Sequence, residues 1–468
     1  MPLQTDREKG AHLLRRFGLG ASEAELDYYL KDGLNGAVDR LTEYESVDEG
    51  FNINPYDLQP EKAKNLPMPI LTAWWIARMI ATRRPLQEKM TLFWHDHFAT
   101  SASKVKASEF MLQQNETLRQ YATGNYRSLL TNMSKDPAML FWLDNQENVR
   151  GKPNENFARE VMELFTLGVG NYSEKDVQEA ARAFTGWSVM RSRRNVDDGQ
   201  PPKGEFLFRP RLHDTGMKVV LGKSGQLTGE DVLNHLCEMP RTAEYITEKL
   251  LAWFVYPEPE PKFVARIAKV FRDSNLDIKT TLKAIMRSSE FYSDKAERAV
   301  VKTPVDFVVP TLRQLGFGPI MRESTSRGLD KRVALLPAYG AGTTMKNMGM
   351  QLLYPPDVAG WEGGEGWISS ATMVERMGWS AALFGTGKGR RIGNGYPYEA
   401  LFNGATTPAE VVDRLASLFD AKLNPDRRKI LVANAEKEMT GPMNRVMAQK
   451  VGSSVSRLLF ATPEFQFA

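Results

Sequence analysis

The stretch MPILTAWWIARMIATRRPLQEKMTLFWHDHF, residues 68–98, decides the fold class. Its apolar residues recur at intervals of three and four: Leu71, Trp74, Trp75 and Met79 come first, and Leu86, Met90, Phe93 and Trp94 follow. This spacing places apolar side chains on one face of a helix, whereas a half-buried strand would alternate apolar and polar residues. The stretch therefore predicts two amphipathic helices.

Sequence signals for helix starts extend this prediction along the chain. Serine or threonine followed three residues later by an acid predicts a capped helix start, because the two side chains satisfy backbone N–H groups reciprocally. Proline at the first helical position is also favoured, because its missing N–H costs nothing there. The capping pairs are Ser22 with Glu25, Ser173 with Asp176 and Thr228 with Asp231, and the proline starts are Thr303-Pro304 and Thr407-Pro408. We expect a mainly α protein with a large multi-helix body.

Residues 187–222 interrupt the helical pattern. Short aromatic or β-branched runs, such as Trp187-Ser-Val and Lys218-Val-Val-Leu, lie there among Gly, Pro and Asp. Such runs between turn residues predict strands, so we expect a small β-hairpin or sheet insertion near 187–222. The implied organisation is an N-terminal helical body (1–186), the β insertion (187–227), a helical part (228–316) and a C-terminal helical part (317–468), within one domain or several.

The composition bounds the classes of function. The chain has 468 residues, 61 basic and 57 acidic, for a formal net charge of +4. This small excess implies no nucleic-acid partner. No run reaches the roughly 18 apolar residues of a membrane span, and the polar start of the chain has no visible secretory signal, so we expect a cytoplasmic protein. The single cysteine, Cys237, excludes an intrachain disulfide.

The first candidate site is Trp94-His-Asp-His-Phe98, which holds two of the five histidines. Residues i and i+2 of a helix point about 200° apart, so His95 and His97 could share a metal ion only if the helix opens there. Asp96, or Glu88 two turns before His95, could then orient or supplement them. The alternative is structural, with one imidazole at the helix C-terminus and the other in the core.

The second candidate is the acidic helix Asn154–Gly168. Glu160 and Glu163 share a face at i,i+3, and Glu155 lies in the first turn. Paired carboxylates can ligate a metal ion or act as acid and base. The alternative is a solvated face on which Arg159 pairs with Glu155 or Glu163. His213, in the β region, is a further candidate ligand or general base.

The third candidate is the loop Tyr354–Ser370, which is rich in glycine. Its residues Trp361 and Trp367 lie six positions apart and could form an apolar platform on which a sugar ring stacks. Packing of the loop over the helical body is the alternative.

Together these segments resemble a bacterial family known as domain of unknown function 1800. The resemblance covers nearly the whole chain and is carried by the His12 segment, Trp94–Phe98, Asp136–Leu140, Asn154–Gly168, Tyr172–Trp187, His213-Asp214 and Pro356–Trp361. It implies no established activity. Members of the family are often secreted and are found beside sulfatase-like proteins, so the resemblance leaves export open for this chain. Because the family motifs include the polar residues singled out above, it favours a functional site over a solvated face.

Two hypotheses follow. In the first, the protein is a metal-dependent enzyme, hydrolase-like, in which His95, His97, Glu160 and His213 bind a divalent metal ion. The catalytic residues would come from Glu155, Glu160, Glu163 and His213, and the metal would activate a water molecule. In the second, the protein binds a carbohydrate or a cell-surface polymer without a metal, with Trp361 and Trp367 as its platform. A small-molecule or glycan partner fits either hypothesis.

Overall fold

The structure is a computed structural model that describes residues 3–190, 204–326, 335–386, 396–402 and 404–468. Within these ranges the chain is mainly α-helical, as predicted. The α-helices are α1 (Asp6–Arg16), α2 (Glu23–Leu30), α3 (Gly33–Thr42), α4 (Met68–Ala81), α5 (Pro85–His97), α6 (Ala102–Val105), α7 (Ser108–Gln120), α8 (Tyr126–Ser134), α9 (Pro137–Trp142), α10 (Asn156–Glu160), α11 (Glu174–Ala183), α12 (Gly229–Glu238), α13 (Pro240–Phe254), α14 (Pro261–Asp273), α15 (Ile278–Met286), α16 (Pro304–Gln314), α17 (Phe317–Ser326), α18 (Leu336–Asn347), α19 (Ser370–Leu383), α20 (Pro408–Leu418), α21 (Pro425–Glu438), α22 (Arg445–Ala461) and α23 (Pro463–Gln466).

Shorter helical segments join these helices. The 3₁₀ turns are Tyr44–Ser46, Pro55–Leu58, Asn145–Glu147, Pro210–Leu212, Gly364–Trp367 and Tyr398–Phe402, and a π-helical segment spans Val161–Thr166.

The predicted helix starts are confirmed. Ser22, Ser173 and Thr228 each cap a helix, and in each case the acid three residues later returns a hydrogen bond to the cap backbone. Pro304 and Pro408 occupy the first helical positions of α16 and α20. These starts could be read from the sequence because a capping box depends only on residues within one turn.

The β insertion is confirmed and is small. Strand β1 (Trp187–Val189) pairs antiparallel with β2 (Phe206–Phe208), and β3 (Lys218–Val220) pairs antiparallel with β4 (Lys223–Gly225). The strands among the described residues therefore form two separate two-stranded sheets. Residues 191–203 of the predicted insertion lie outside the described part of the chain.

Apolar side chains are buried in two clusters, and α5 contributes to both. Met90 and Trp94 belong to the first cluster, which extends from α1 to the segment after α15. Leu92 belongs to the second, in which α4 packs with α16, α17 and α18. The C-terminal end of α5, with the two histidines, therefore lies where the two clusters meet. The division of the chain into four parts stays a prediction.

Among the described residues, no helix is both long enough and apolar enough to cross a membrane.

Candidate functional site

Helix α5 remains helical through His97, so its two histidines face different surroundings. His95 Nε2 accepts a hydrogen bond of 3.2 Å from the backbone N–H of Leu353. His97 Nε2 lies 3.3 Å from the hydroxyl of Tyr126. Burial lowers the pKa of His95 to about 3 and that of His97 well below its ordinary range. Both imidazoles are therefore neutral at physiological pH.

His97 keeps one unused polar atom. Its side chain is buried, and within the described part of the chain its Nδ1 has no hydrogen-bond partner. A buried imidazole nitrogen without a partner costs free energy. It therefore marks a position where a ligand could form a hydrogen bond with the nitrogen or where a metal ion could bind it.

The acidic segment is interrupted after α10. From Val161 to Thr166 the backbone is π-helical, and the Thr166 hydroxyl donates to the carbonyl of Val161 over 2.7 Å. The carbonyl of Phe165 accepts a hydrogen bond from the Tyr126 hydroxyl, the same hydroxyl that lies near His97. Single π turns inside helices are frequent at functional sites. The segment thus connects the acidic region to His97 through Tyr126.

Two of the three predicted glutamates, Glu155 and Glu163, bind neighbours of their own. Glu155 pairs with Arg159 at 3.3 Å, and Arg159 also binds Glu174 at 2.7 Å. Glu163 accepts a hydrogen bond from the Tyr172 hydroxyl. Burial and the nearby Glu163 raise the pKa of Glu160.

His213 is held by the turn before β1. Its Nδ1 lies 3.0 Å from the backbone carbonyl of Thr185, and its side chain is buried. The adjacent Asp214 is bound by Arg182 at 2.8 Å, and this contact lowers the pKa of Asp214 to about 2. Among the described residues, no three His, Cys, Asp or Glu side chains lie together in an arrangement that could hold a metal ion. The predicted ligand set of His95, His97, Glu160 and His213 is therefore not assembled.

The glycine-rich loop contacts the end of α5 directly. The backbone N–H of Trp361 donates to Asp96 Oδ1 over 2.9 Å, and the Trp361 ring lies 5.5 Å from the ring of His95. Gly360 has φ of 93°, and a Cβ built on it would lie 2.4 Å from Asp96 Oδ1. Only glycine fits this approach, because any side chain would displace the carboxylate.

The loop and α5 enclose a cavity of about 430 Å³, which we call the α5 cavity. Asp96 and His97 line it from α5, Trp361 and Trp367 from the loop, and Lys249 and Trp253 from α13. Glu155, Glu160, Glu163 and His213 are not among its lining residues. The two predicted tryptophans thus line the same cavity as the histidine motif. The acidic segment does not line the cavity and is connected to His97 only through the hydrogen bond between Phe165 and Tyr126.

The two tryptophans of the loop differ in exposure. Trp361 is partly buried, whereas Trp367 is buried in the second apolar cluster and is 6% exposed. Trp361 therefore offers the more accessible ring, and Trp367 forms part of the cavity floor.

The charged residues that line the cavity include Asp96 and Lys249, together with Arg16, Asp306 and Glu365. Burial raises the pKa of Asp96 to about 6, although the Trp361 N–H and Lys249 act in the opposite direction. Burial lowers the pKa of Lys249, and the nearby Asp96 partly offsets this effect. Among the described residues, Asp96 Oδ2 and the Lys249 ammonium have no hydrogen-bond partner. Sequence reasoning missed Lys249 and Trp253, because no local pattern in α13 distinguishes them from ordinary helix residues.

Comparison with known proteins gives one result. No curated protein and no solved structure matches the chain. The family described as "Protein of unknown function (DUF1800)" matches residues 12–467, which is nearly the whole chain. The match includes the end of α5, the acidic segment, His213 and the glycine-rich loop. The chain therefore belongs to the DUF1800 family.

Proposed function

We propose that this protein binds a carbohydrate unit in the α5 cavity. The observation that carries the proposal is the combination of the partly buried Trp361 ring with the Asp96 carboxylate, whose Oδ2 has no partner among the described residues. Protein sites recognise sugars through an aromatic face, which covers the apolar side of the ring, and through polar groups, which bind the hydroxyls.

The dimensions and charges of the cavity support this proposal. A volume of about 430 Å³ falls within the range of roughly 300–1,000 Å³ for small-ligand sites. Asp96 can accept a hydrogen bond from a sugar hydroxyl, and Lys249 can donate one. Together they add an acceptor and a donor to the indole rings of the cavity lining.

The proposal is tested with a panel of glucose, galactose, glucosamine and N-acetylglucosamine. Saturation-transfer NMR on the full chain should detect ring protons of at least one sugar, and the signal should weaken strongly in Trp361→Ala. In Trp361→Phe, which keeps an aromatic ring, part of the signal should return. Trp142→Phe, at a tryptophan outside the cavity, is the matched control and should bind like the original chain.

Two results would reject carbohydrate binding at this site. One is the absence of a transfer signal from every sugar of the panel at millimolar concentration. The other is a signal that Trp361→Ala leaves unchanged while circular dichroism shows the variant folded.

A metal-dependent hydrolase is the second proposal, and one observation favours it. His97 and Asp96 both line the cavity, and the buried Nδ1 of His97 has no hydrogen-bond partner within the described residues. An imidazole and a carboxylate can hold a divalent ion when water or substrate supplies the remaining ligands. The ion would lower the pKa of a bound water molecule.

The two proposals differ in a simple measurement. Elemental analysis of protein purified without a histidine tag should find about one or two equivalents of a transition metal if the hydrolase proposal holds. That metal should be lost in His97→Ala and retained in His213→Ala, because His213 is not a lining residue of the cavity. Protein that contains no metal, and takes up none from added zinc or manganese, would eliminate the second proposal without affecting the first.

A further inference from the structure

A second cavity, of about 260 Å³, lies between α1, α16 and the chain around Asp420. We call it the Lys302 cavity, and its lining residues include Arg15, Lys302, Asp306, Asp420, Lys422 and Phe465. Asp306 also lines the α5 cavity, but the aromatic and polar groups that carry the carbohydrate proposal do not line this one.

Lys302 is fixed in this cavity by its backbone. Its N–H donates to the carbonyl of Gln466 over 2.8 Å, and its own carbonyl accepts from Arg376 Nη2 over 2.8 Å. Its side chain extends over Phe465, with Nζ 3.6 Å from the centroid of the ring, and only 6% of the residue is exposed. The amine is therefore held in one place rather than free in solvent.

The Lys302 amine has no anionic partner. Within the described part of the chain, its Nζ makes no hydrogen bond and no ion pair. The two aspartates that line the cavity bind other cations: Asp420 pairs with Arg15 and with Arg298, and Asp306 pairs with Lys89. An ammonium group at this position would therefore be buried with no ion pair, and only the Phe465 ring and the charge of Asp420 would offset the cost.

The surroundings favour the neutral amine. Burial, and then the positive charge of Arg298, lower the pKa of Lys302 well below its ordinary value, although the charge of Asp420 acts in the opposite direction. An exposed lysine has a pKa of about 10.4, so only about one in a few thousand such groups is neutral at pH 7. A buried lysine beside other cations is one of the arrangements that turn an amine into a nucleophile.

We propose that Lys302 is a nucleophilic amine that forms an imine with a small aldehyde or ketone admitted to this cavity. The proposal rests on the lining of the cavity and on the unpartnered, buried position of the amine. It does not depend on the carbohydrate proposal.

The step balances without a further reagent. The nitrogen lone pair attacks the carbonyl carbon, and a proton moves from nitrogen to the carbonyl oxygen to give a carbinolamine. The C–OH bond then breaks, the nitrogen loses its second proton, and the oxygen leaves as water. A C=N bond remains, and no electrons are gained or lost overall.

The experiment uses the full chain at pH about 7 with glycolaldehyde and sodium cyanoborohydride. The hydride converts any imine to a stable secondary amine, and tandem mass spectrometry of tryptic and chymotryptic peptides locates the modification. We expect Lys302 to be modified at least about tenfold faster than the exposed lysines of the same chain, because more of it is neutral. In urea, where every lysine is exposed, this preference should disappear.

Two variants complete the test. Lys302→Arg keeps a long side chain but removes the amine, and it should abolish the rapid modification at this position. Lys422→Arg is the matched control, because Lys422 lines the same cavity but is paired with Glu297. It should leave the labelling of Lys302 unchanged.

The measurement on the original chain decides the proposal even if Lys302→Arg fails to fold. An amine that stays unmodified while exposed lysines react would overturn the proposal. The same holds if Lys302 reacts no faster than those lysines in the folded protein.

Discussion

Asp96 and Trp361 are joined by a hydrogen bond of 2.9 Å across 265 positions of the sequence. The bond fixes the carboxylate at the end of α5 and fixes the glycine-rich loop over it. This contact, together with the Leu353 N–H that donates to His95, holds one wall of the α5 cavity between two distant segments.

Gly360→Ala should break this contact. The residue has φ of 93°, and the new Cβ would lie 2.4 Å from Asp96 Oδ1, so both the backbone and the carboxylate would have to move. We expect a loss of about 1–3 kcal/mol in the free energy of unfolding, together with weaker ligand binding in the cavity. Urea denaturation followed by fluorescence measures the first effect.

Gly363→Ala is the matched control for Gly360→Ala. Nothing lies within 4 Å of the position its Cβ would occupy, and its φ of −82° suits any residue. Its free energy of unfolding should change by less than about 0.5 kcal/mol. If the two variants are equally stable, the close approach of Gly360 to Asp96 is not a constraint.

Asp96→Asn should change how stability depends on pH. The pKa of Asp96 is raised to about 6 in the folded chain, whereas an aspartate in the unfolded chain titrates near about 3.9. Between these two pH values the folded state binds more protons than the unfolded state. The free energy of unfolding of the original chain therefore falls as pH rises from about 4 to about 6.

Asparagine keeps the acceptor for the Trp361 N–H but does not titrate. The difference in stability between Asp96→Asn and the original chain should therefore shift in favour of the variant by on the order of 2 kcal/mol over this pH interval. It should stay constant above pH 7. Chemical denaturation at several pH values measures it, and a difference that does not vary with pH would contradict the raised pKa.

Glu88→Gln should destabilise the body of α5. The Glu88 side chain is fully buried and accepts hydrogen bonds of 3.0 Å from both Arg119 Nη2 and Trp75 Nε1. Removing the negative charge leaves the Arg119 guanidinium without its buried partner, which should cost about 3–5 kcal/mol.

Glu116→Gln is the control for this pair. Glu116 also contacts Arg119, at 2.9 Å, but 46% of its side chain is exposed. Exposed ion pairs contribute little to the free energy of unfolding, so this change should lower it by less than about 1 kcal/mol. Thermal unfolding ranks the two variants, and equal losses would mean that burial does not decide the strength of the ion pair.

Tyr126→Phe should weaken the contact between α8 and the π-helical segment. The hydroxyl donates to the carbonyl of Phe165 and lies near His97 Nε2, so its removal leaves the buried carbonyl without its donor and His97 Nε2 without this neighbour. We expect a cost of about 1–3 kcal/mol. Tyr28→Phe, at a side chain that is 48% exposed, should be neutral by the same measurement.

The features that the sequence predicted correctly are local ones. Capping boxes such as Ser173 with Asp176, the proline starts and the aromatic strand at Trp187 each depend on residues within a few positions of one another. Helical spacing identified α4 and α5 for the same reason, because burial of one face repeats every three to four residues.

The arrangement of the site depended on distant contacts, and here sequence reasoning succeeded only in part. It singled out both segments that meet at Asp96 and Trp361, but it did not pair them. It assigned one continuous helix to Asn154–Gly168, whereas α10 ends at Glu160 and a π-helical segment follows. Lys249 and Lys302 carry no local signal, because only the folded chain decides which lysine is buried and lacks a partner.

Because α5 supplies apolar side chains to both buried clusters, the α5 cavity is complete only when both clusters are folded. A ligand held there would slow hydrogen exchange of backbone amides in both halves of the molecule, including those far from any ligand atom. Ligand binding would then require the whole chain to be folded. A fragment that contains only one of the two clusters would lack one wall of the cavity and would not bind the ligand.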